Sequence, residues 1–475
     1  MAFNDDEKPP ASNAGNTKGL VTITEPKFSK DAAALSADEV TAVVELKATS
    51  STAVREGHCP LRSVTQQAQA DLKAIVDGLV ANGGTNIKAG LDTALAIVAG
   101  RATTKARTPN VFLMSDGQQS DGDARQVDPG NVAVYTFGFG KDADHALLSD
   151  VAKKSPGGTF NSVPDGGNVS APFSQLLGGL LTIVAQDVQL TLTPKAEDPT
   201  APDLDTMTVA PGTDYTQTTD GDTGVITIKF GTLFSGETRK VAINFKLLES
   251  TLTTAYDGLV AEAQHSYTVQ GSLQGQTPQD VVIPRSPDAP ADPPTSGKAQ
   301  AVLAEMARRQ HAGAIGEARQ MADGKNLEEA RYKLADAQNA LEDIVLNDGE
   351  KLVGMLRAEL QQLLDLMETQ ELYEAEGRPY ALASETSHGR QRYAARGGDM
   401  DAVRLFATPR MDTYLEQAKK FEEDPTAPLP SADDDAKEEM AANPLAAISA
   451  PIAFYIKVAI QALQEIEKLV APPTK

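Results

Sequence analysis

The sequence predicts an α/β region with a parallel sheet, then an antiparallel β-sandwich, then a helical hairpin or bundle. Three observations support this order. Between residues 35 and 185, apolar strand patterns alternate with helical patterns, which is typical of parallel strands joined by helices. Residues 186–285 alternate apolar and polar side chains between Gly and Asp turns, as antiparallel strands do. Residues 299–424 carry long stretches of apolar residues at helical spacing.

The elements of the α/β region follow from side-chain type and spacing. Runs of β-branched and aromatic residues indicate strands, and apolar residues three or four positions apart indicate helices. Residues 1–34, which precede this region, are polar and are predicted to form an N-terminal tail, in which only 20–24 could form an edge strand. The predicted strands lie at 40–46, 110–115 and 132–139, and the predicted helices lie at 64–79, 86–99, 143–153 and 171–185.

The rest of the chain divides where the composition changes. A Pro-rich linker at 286–298 separates the sandwich from the helical region, and an acidic spacer at 425–443 precedes a predicted amphipathic helix at 444–471. The predicted sandwich strands include 188–192, 225–230, 239–247 and 261–270, and the predicted long helices lie at 299–322, 326–346 and 348–372.

The charge balance limits the classes of partner. The chain has 43 basic and 66 acidic residues, a formal net charge of −23. Nucleic acids are bound through clustered Lys and Arg, so we expect no nucleic-acid partner. Membrane insertion is also unexpected, because Pro451, Lys457 and Gln461 interrupt the apolar C-terminal run. The N-terminus lacks the basic and apolar regions of a signal peptide, which predicts a cytoplasmic or other intracellular location.

Cysteine and histidine usage limits the chemistry. Cys59 is the single cysteine, so the chain forms no intramolecular disulfide. The sequence has one Cys and five His, whereas two tetrahedral zinc ions in a cross-braced finger need about eight ligands. It also contains no Gly-rich phosphate loop and no recognisable Ser-His-Asp arrangement. We therefore expect no enzymatic activity.

Polar residues follow the ends of predicted elements in the α/β region. A Gly-Gly-Thr-Asn sequence that includes Thr85 precedes a helix, and Ser-Asp-Gly, centred on Asp116, ends the strand at 110–115. Thr-Phe-Gly-Phe-Gly at 136–140 ends the next strand. Ligands bind at the carboxyl ends of strands in open α/β sheets, and Thr and Asp oxygens suit a divalent cation such as Mg²⁺. Each motif taken singly also fits a helix N-cap or a turn after a strand.

In this order the motifs resemble a von Willebrand factor A-type (VWA) domain, which has a Rossmann-like parallel sheet. The resemblance implies that Thr85 and Asp116 complete a metal-ion-dependent adhesion site. It extends to the plant wavy-growth family of RING ubiquitin ligases, whose members carry a VWA domain followed by a sandwich and helices. The matching pieces are Phe-Asn-Asp-Asp-Glu at 3–7, Leu-Val-Ala-Asn-Gly-Gly-Thr-Asn-Ile at 79–87, Phe-Gly-Thr-Leu at 230–233, Ser-His-Gly-Arg-Gln-Arg at 387–392 and Phe-Ala-Thr-Pro-Arg-Met at 406–411.

Two departures from that family matter. The sequence lacks the RING, so it resembles a RING-less relative in which ligase activity is not expected. The Asp-x-Ser-x-Ser motif of the metal site is also absent, and about 60 residues are missing between Ala48 and Ser51, judged from the size such a domain needs. Without the central strand, either the strand at 40–46 moves into the gap or the sheet is poorly formed. Thr85 and Asp116 would make a weak Mg²⁺ site at best, and no other cofactor is expected.

The Ser-His-Gly-Arg-Gln-Arg segment allows two interpretations. His388, Arg390 and Arg392 could bind a phosphate or an acidic partner, because guanidinium groups pair strongly with such anions. Alternatively, these side chains belong to a helix face that pairs with local acids or packs against the sandwich. We favour the second interpretation.

These observations favour a non-catalytic adaptor whose degenerate VWA domain and following regions bind proteins. The family resemblance implies RING-bearing relatives or ubiquitination clients as partners, in ubiquitin-linked signalling. A divalent-metal-dependent ligand-binding protein of the adhesion type is an alternative, and it rests on Thr85 and Asp116. A non-functional product of a truncated gene is a third alternative, because the predicted deletion removes a central strand.

Overall fold

The fold is taken from a computed structural model of the chain. Two predicted elements lie outside its described residues, the helix at 444–471 and, apart from Asp77, the helix at 64–79. The spacer at 425–443 also lies outside them. Among the residues that are described, no helix is long and apolar enough to cross a membrane. The described residues are 21–24, 26–30, 32–34, 36–48, 77, 84–100, 108–197, 202–212, 214–269, 272–275, 277–288, 297–342, 350–397 and 403–424.

The strands belong to three sheets, which helices cover and connect. In chain order the strands are β1 (Val21–Ile23), β2 (Lys27–Phe28), β3 (Ala33–Ala34), β4 (Asp38–Ala48), β5 (Asn110–Ser115), β6 (Ala133–Phe139), β7 (Phe160–Val163), β8 (Ile183–Pro194), β9 (Leu204–Val209), β10 (Thr216–Thr219), β11 (Ile226–Phe234), β12 (Thr238–Leu247), β13 (Tyr256–Val269), β14 (Ser272–Gly275) and β15 (Gln279–Ser286). The helices are α1 (Ile87–Ala99), α2 (His145–Lys154), α3 (Ser170–Leu180), α4 (Gly297–Asp323), α5 (Leu327–Glu342), α6 (Glu350–Asp365), α7 (Gln370–Leu372), α8 (Arg378–Arg390) and α9 (Pro409–Glu423).

The parallel sheet has the strand order β5-β6-β7 among the described residues. Helices α1 and α2 pack on one face around Leu91 and Leu147, and α3 packs on the other face near Phe137. The strands predicted at 110–115 and 132–139 are confirmed to within one residue. An α/β region with helices on both faces of a parallel sheet is therefore present, as the alternation of patterns predicts.

The last helix of this region is shorter than predicted. It ends at Leu180, several residues before the predicted end. The Thr182 hydroxyl donates to the Gly179 carbonyl over 2.8 Å, and the chain then extends into β8. Ile183 and Val184 begin that strand, and their β-branched side chains favour extended backbone over helix.

Two antiparallel sheets enclose a common apolar core. One has the strand order β1-β4-β12-β9, with β2 also paired to β4, and the other has the order β10-β11-β8-β13-β15-β3, with β14 paired to β13. Phe230, Phe245 and Tyr267 are fully buried between them. Each buried side chain of this size contributes about 1.5–3 kcal/mol of hydrophobic stabilisation, so this core is a major source of stability.

The structure corrects the predicted N-terminal boundaries. The strand at 40–46 is predicted for the α/β region, but β4 pairs along its length with β12 of the antiparallel sheet. It therefore neither joins the parallel sheet nor fills a gap in it. Within the predicted tail at 1–34, β1 lies at the possible edge strand of 20–24, whereas β2 and β3 are not predicted, and all three pair with the antiparallel sheets. Because Val44 faces the core and Val43 faces α4, the strand is apolar on both sides and its pattern does not reveal its partner.

The helical region begins on the outer face of the first antiparallel sheet, where Val302 of α4 packs against Ala242. Helices α4, α5 and α6 confirm the predicted helices at 299–322, 326–346 and 348–372, although the last of these ends earlier. Helix α8 is a further helix, and it contacts α4, α2 and β7. It therefore joins the helical region to the α/β region.

Helix α9 returns to the α/β region and packs along α3. A Cβ added at Gly178 would lie 3.0 Å from the Tyr414 ring, so the absence of a side chain permits this close approach. Gly179 faces Met411 near the start of α9, whereas Ala171, near the start of α3, packs with a later part of α9. The two helices therefore run antiparallel.

Candidate functional site

The two loops of the predicted metal site meet at the carboxyl end of β5. The Thr85 carbonyl accepts two hydrogen bonds from Ser120, from its amide over 2.8 Å and from its hydroxyl over 3.0 Å. The Thr85 hydroxyl lies near Gly117, where an added Cβ would approach it to 3.1 Å. Thr85 is half-buried, and Asp116, which precedes Gly117, is exposed. The fold thus places both candidate ligands in the same region of the surface.

Polar groups of these loops make local capping interactions. Asn86 Oδ1 accepts from the Ala89 amide over 2.8 Å and caps α1, while its Nδ2 donates to Asp121 over 2.9 Å. The Ser115 hydroxyl donates to the Gly117 carbonyl over 3.1 Å. The structure therefore shows a helix N-cap and a turn after a strand, which are the simpler interpretations of the two motifs.

A tightly held divalent cation would need more oxygen ligands than Thr85 and Asp116 supply. Asp144 is close, since its amide donates to the Gly117 carbonyl over 3.3 Å. Its carboxylate, however, accepts from the Leu147 amide over 3.1 Å and caps α2. In the described part of the chain, no three Asp, Glu, His or Cys side chains converge at this edge. The residues present do not fit a tightly bound metal, and a weak Mg²⁺ site stays a proposal.

Arg392 is fully buried where the α/β region, the antiparallel sheets and the segment after α8 meet. Its Nε and Nη2 make paired hydrogen bonds to the two carboxylate oxygens of Glu237, each over 2.7 Å. Nη1 donates to the Tyr135 hydroxyl (3.0 Å) and the Gly157 carbonyl (2.9 Å), and Nη2 also donates to the Thr232 carbonyl (2.9 Å). Every N–H donor of the guanidinium is thereby used inside the protein.

Glu237 is shared by two buried arginines. Arg239 donates from Nη2 to the Glu237 carboxylate over 2.7 Å and from Nη1 to the Gln391 carbonyl over 2.9 Å. The Arg392 guanidinium also lies 3.8 Å from the centre of the Phe234 ring. Burial opposes ionisation of Glu237, but Arg239 and Arg392 outweigh it and hold the pKa of this carboxyl below its usual range. The three side chains form a charged cluster that joins the regions, which we call the Arg392 clamp.

The neighbours of Arg392 in the same segment also face inward. Arg390 donates to the carbonyls of Asp214 (2.6 Å) and Ser155 (3.2 Å). The Gln391 side-chain amide makes two hydrogen bonds with the backbone of Lys240, over 2.6 and 2.7 Å. The segment thus packs against the antiparallel sheets, as the second interpretation expects, but the acids that it pairs with lie in other elements and are not local in the sequence. It is not presented to an external phosphate.

A second buried cluster lies between α4, α6 and α8. Glu359 is fully buried and accepts hydrogen bonds from Nε2 of His311 and of His388, each over 2.8 Å, and from the Ser384 hydroxyl over 2.7 Å. It also forms an ion pair with Arg396 over 2.8 Å. Burial opposes ionisation of Glu359, but Arg396 and the histidines hold its pKa well below the usual range. We call these five residues the Glu359 cluster.

Two histidines and a carboxylate whose ligand atoms lie within 4.8 Å of one another have the composition of a metal site. The hydrogen bonds do not fit one. Arg308 approaches Nδ1 of His388 at 3.3 Å, and because arginine can only donate, this nitrogen must carry a lone pair. Neutral His388 therefore holds its proton on Nε2, directed at Glu359, and offers no lone pair there. The cluster ties three helices together instead.

The sequence offers few signs of these clusters. The sequence could indicate that Glu359 is a buried acid, because it interrupts the apolar stripe that contains Leu356 and Leu360. A buried acid requires a partner. Glu237 carries no comparable signal, since Arg392 lies 155 residues away in the chain. Only the fold brings this acid and this arginine together.

Acidic pH is expected to weaken the Glu359 cluster. Burial lowers the pKa of His388 from 6.5 to about 4, so the unfolded chain takes up a proton at a higher pH than the folded chain. The stability that neutral His388 contributes is present above about pH 6.5 and is lost towards pH 4, a loss on the order of 3 kcal/mol. Glu359 adds its own loss only at lower pH, because its folded pKa is depressed.

Denaturant midpoints measured between neutral pH and about pH 4 test this expectation. The wild-type midpoint should fall over this window. The His388→Gln variant keeps an amide donor near Glu359 and lacks the titrating ring, so its midpoint should depend less on pH. Equal pH dependence in both proteins would contradict the assignment of the effect to His388.

Comparisons with known proteins identify two parts of the chain. Residues 32–175 match the von Willebrand factor type A domain, and residues 350–420 match the region described as VWA / Hh protein intein-like. The first match includes both loops of the predicted metal site, and also β4, which the structure places in the antiparallel sheet. The second match includes Glu359, His388 and Arg392, so both buried clusters draw on it.

One relative and one solved structure extend these matches. The chain is 25% identical over 233 residues to the E3 ubiquitin-protein ligase WAV3 of Arabidopsis thaliana, which covers 48% of this chain and 28% of WAV3. A von Willebrand factor type A structure from Catenulispora acidiphila matches with a TM-score of 0.52 and 17% identity, covering 71% of this chain and 89% of that chain. This structural similarity shows the fold. The chain therefore contains a von Willebrand factor type A domain and is related to the VWA family that includes WAV3.

Proposed function

We propose that this protein is a non-catalytic adaptor that binds other proteins through its VWA domain and the regions joined to it. The observation that supports this proposal is the internal use of its buried acids. Glu237 is paired with Arg239 and Arg392, and Glu359 accepts from His311, His388, Ser384 and Arg396. Neither acid faces a group on which it could act, and a general acid or base must reach its substrate.

The relationship to WAV3 supports ubiquitin-linked partners. VWA domains mediate protein–protein interactions, and the matched segment of WAV3 is 28% of that ligase. The ligase activity of the whole relative is therefore not carried over to this chain. The proposed partners are RING-bearing ligases related to WAV3, or proteins that such ligases ubiquitinate, in an intracellular compartment.

Purified WAV3 is a defined probe for this proposal. We expect the immobilised full chain to retain purified WAV3, or to retain ubiquitinated proteins when plant extract is applied. A column that carries an unrelated acidic protein should retain neither. In a second assay, the chain is incubated with ubiquitin, an activating enzyme, a conjugating enzyme and ATP. We expect no conjugates. Conjugates formed by the chain alone would overturn the non-catalytic assignment, and failure to retain any ligase or ubiquitinated protein would overturn the adaptor assignment.

A metal-dependent ligand-binding function is the second candidate, because the loops that carry Thr85 and Asp116 meet in the structure. With so few ligands, we expect Mg²⁺ or Mn²⁺ to bind with a dissociation constant no lower than about 10⁻⁴ M. Calorimetry of the wild type, of Asp116→Ala and of the matched surface variant Asp222→Ala measures this. The site is supported if the heat of binding is lost in Asp116→Ala and is kept in Asp222→Ala. Absence of heat with the wild type at millimolar ion eliminates it.

A further inference from the structure

An apolar surface remains at the edge of the parallel sheet, on the face that packs against α3. Phe137 is fully buried and stacks on Phe173, with 4.2 Å between ring centres. Phe112, which is half-buried, lies edge-on to Phe173 at 6.0 Å. At the rim, Met114 is 50% exposed and Leu177 is 37% exposed. We call Phe112, Met114, Phe173 and Leu177 the edge patch.

These four side chains form one continuous surface. Met114 pairs in register with Phe137, and alternate residues of a strand share a face, so Phe112 and Met114 lie side by side. Phe173 and Leu177 are four positions apart and therefore lie on the same side of α3. In the described part of the sheet, β5 is the outer strand at this edge. Contiguous apolar side chains that are partly exposed in this way are a candidate binding surface.

We infer that residues 445–463 of this chain bind across the edge patch. This segment lies outside the described residues, and Lys457 is its single charged residue in a chain of net charge −23. The edge patch is uncharged as well. An acidic partner surface would gain nothing there, whereas an apolar segment of the same chain would remove both surfaces from water.

The end of α9 places this segment within reach. Because α9 runs antiparallel to α3, its last residue, Glu423, lies towards the start of α3, the part of the helix that carries Phe173. The intervening residues 425–444 span up to roughly 66 Å when extended. This exceeds the length of α3, about 16 Å. The chain can therefore return to the edge patch without any movement of α9.

Tryptophan fluorescence tests the inference in the full chain. The sequence contains no Trp, so Ile452→Trp and Phe454→Trp each introduce a single reporter. Because two helical positions differ by about 200° around the axis, one reporter faces the patch if the segment is helical. We expect at least one reporter to emit at shorter wavelength than a solvated Trp. Adding Met114→Glu with Leu177→Glu should shift its emission to longer wavelength.

Leu273→Glu is the matched control, because Leu273 is 75% exposed on β14, in an antiparallel sheet, and the same charge there should leave the emission unchanged. Circular dichroism shows whether the patch variant stays folded. If it does not, Leu177→Gln alone provides the milder change. The inference is overturned if no substitution in the edge patch changes the wavelength of the Trp emission. A short-wavelength emission that appears only at higher protein concentration, or only with lipid vesicles, also overturns it, because the occupant is then a second copy or a membrane.

Discussion

Replacing Arg392 by Met is expected to destabilise the protein by about 3–5 kcal/mol, as removal of one partner from a buried ion pair does. The variant leaves Glu237 buried with one arginine in place of two, and it leaves the Tyr135 hydroxyl and two carbonyls without their donor. Arg392→Lys should recover only part of the loss, because an ammonium cannot reproduce the planar paired contact with Glu237. Urea unfolding midpoints of the full chain measure both effects.

Arg125→Ala is the matched control for the Arg392 clamp. Arg125 pairs with Asp150 over 2.6 Å, a distance close to those of the clamp, but its side chain is 44% exposed. Exposed pairs of this kind contribute little, so its midpoint should stay near that of the wild type. The double variant Arg392→Met with Glu237→Gln should be less destabilised than the sum of its single changes, because each single change already removes the same Arg392–Glu237 ion pair. Equal losses for Arg125→Ala and Arg392→Met would contradict the assigned role of burial.

Replacing Glu359 by Gln is expected to have an effect of similar size, about 3–5 kcal/mol. The substitution preserves the shape of the side chain and removes its charge, which leaves Arg396 buried without a counter-ion. The NH2 group of the new amide is a donor in either orientation. At one oxygen position it would face the two histidines, and at the other it would face the Arg396 guanidinium and the Ser384 hydroxyl, so at least one donor meets another donor. Thermal and urea unfolding should both report the loss.

Glu374→Gln serves as the control for Glu359→Gln. Glu374 forms an ion pair with Lys325, and its side chain is 39% exposed, so water can replace the lost charge interaction. We expect no resolvable change in its unfolding midpoint. Should Glu359→Gln behave in the same way, the Glu359 cluster would not be what holds α4, α6 and α8 together.

Local patterns predicted part of the α/β region. The strand at 110–115 and the helix that begins near residue 86 depend on the spacing of side chains within one element, and the structure has both. The segment at 387–392 could be recognised as unusual, and its two interpretations could be stated, because three cationic or titratable side chains lie within it. The sequence could not identify the acids that this segment contacts, because Glu237 and Glu359 lie in other elements.

The sequence by itself determined the parallel-strand pattern at 110–139 and the resemblance to VWA domains, because periodicity and motif order are properties of neighbouring residues. Only the tertiary structure decided that β4 pairs with β12 and that Arg392 meets Glu237. Those choices depend on which distant backbone groups and charges can be buried together, and burying either partner alone is unfavourable. For the same reason, the segment at 387–392 does not bind an external anion. Its side chains are buried against Glu237 and Glu359 and join the regions of the protein.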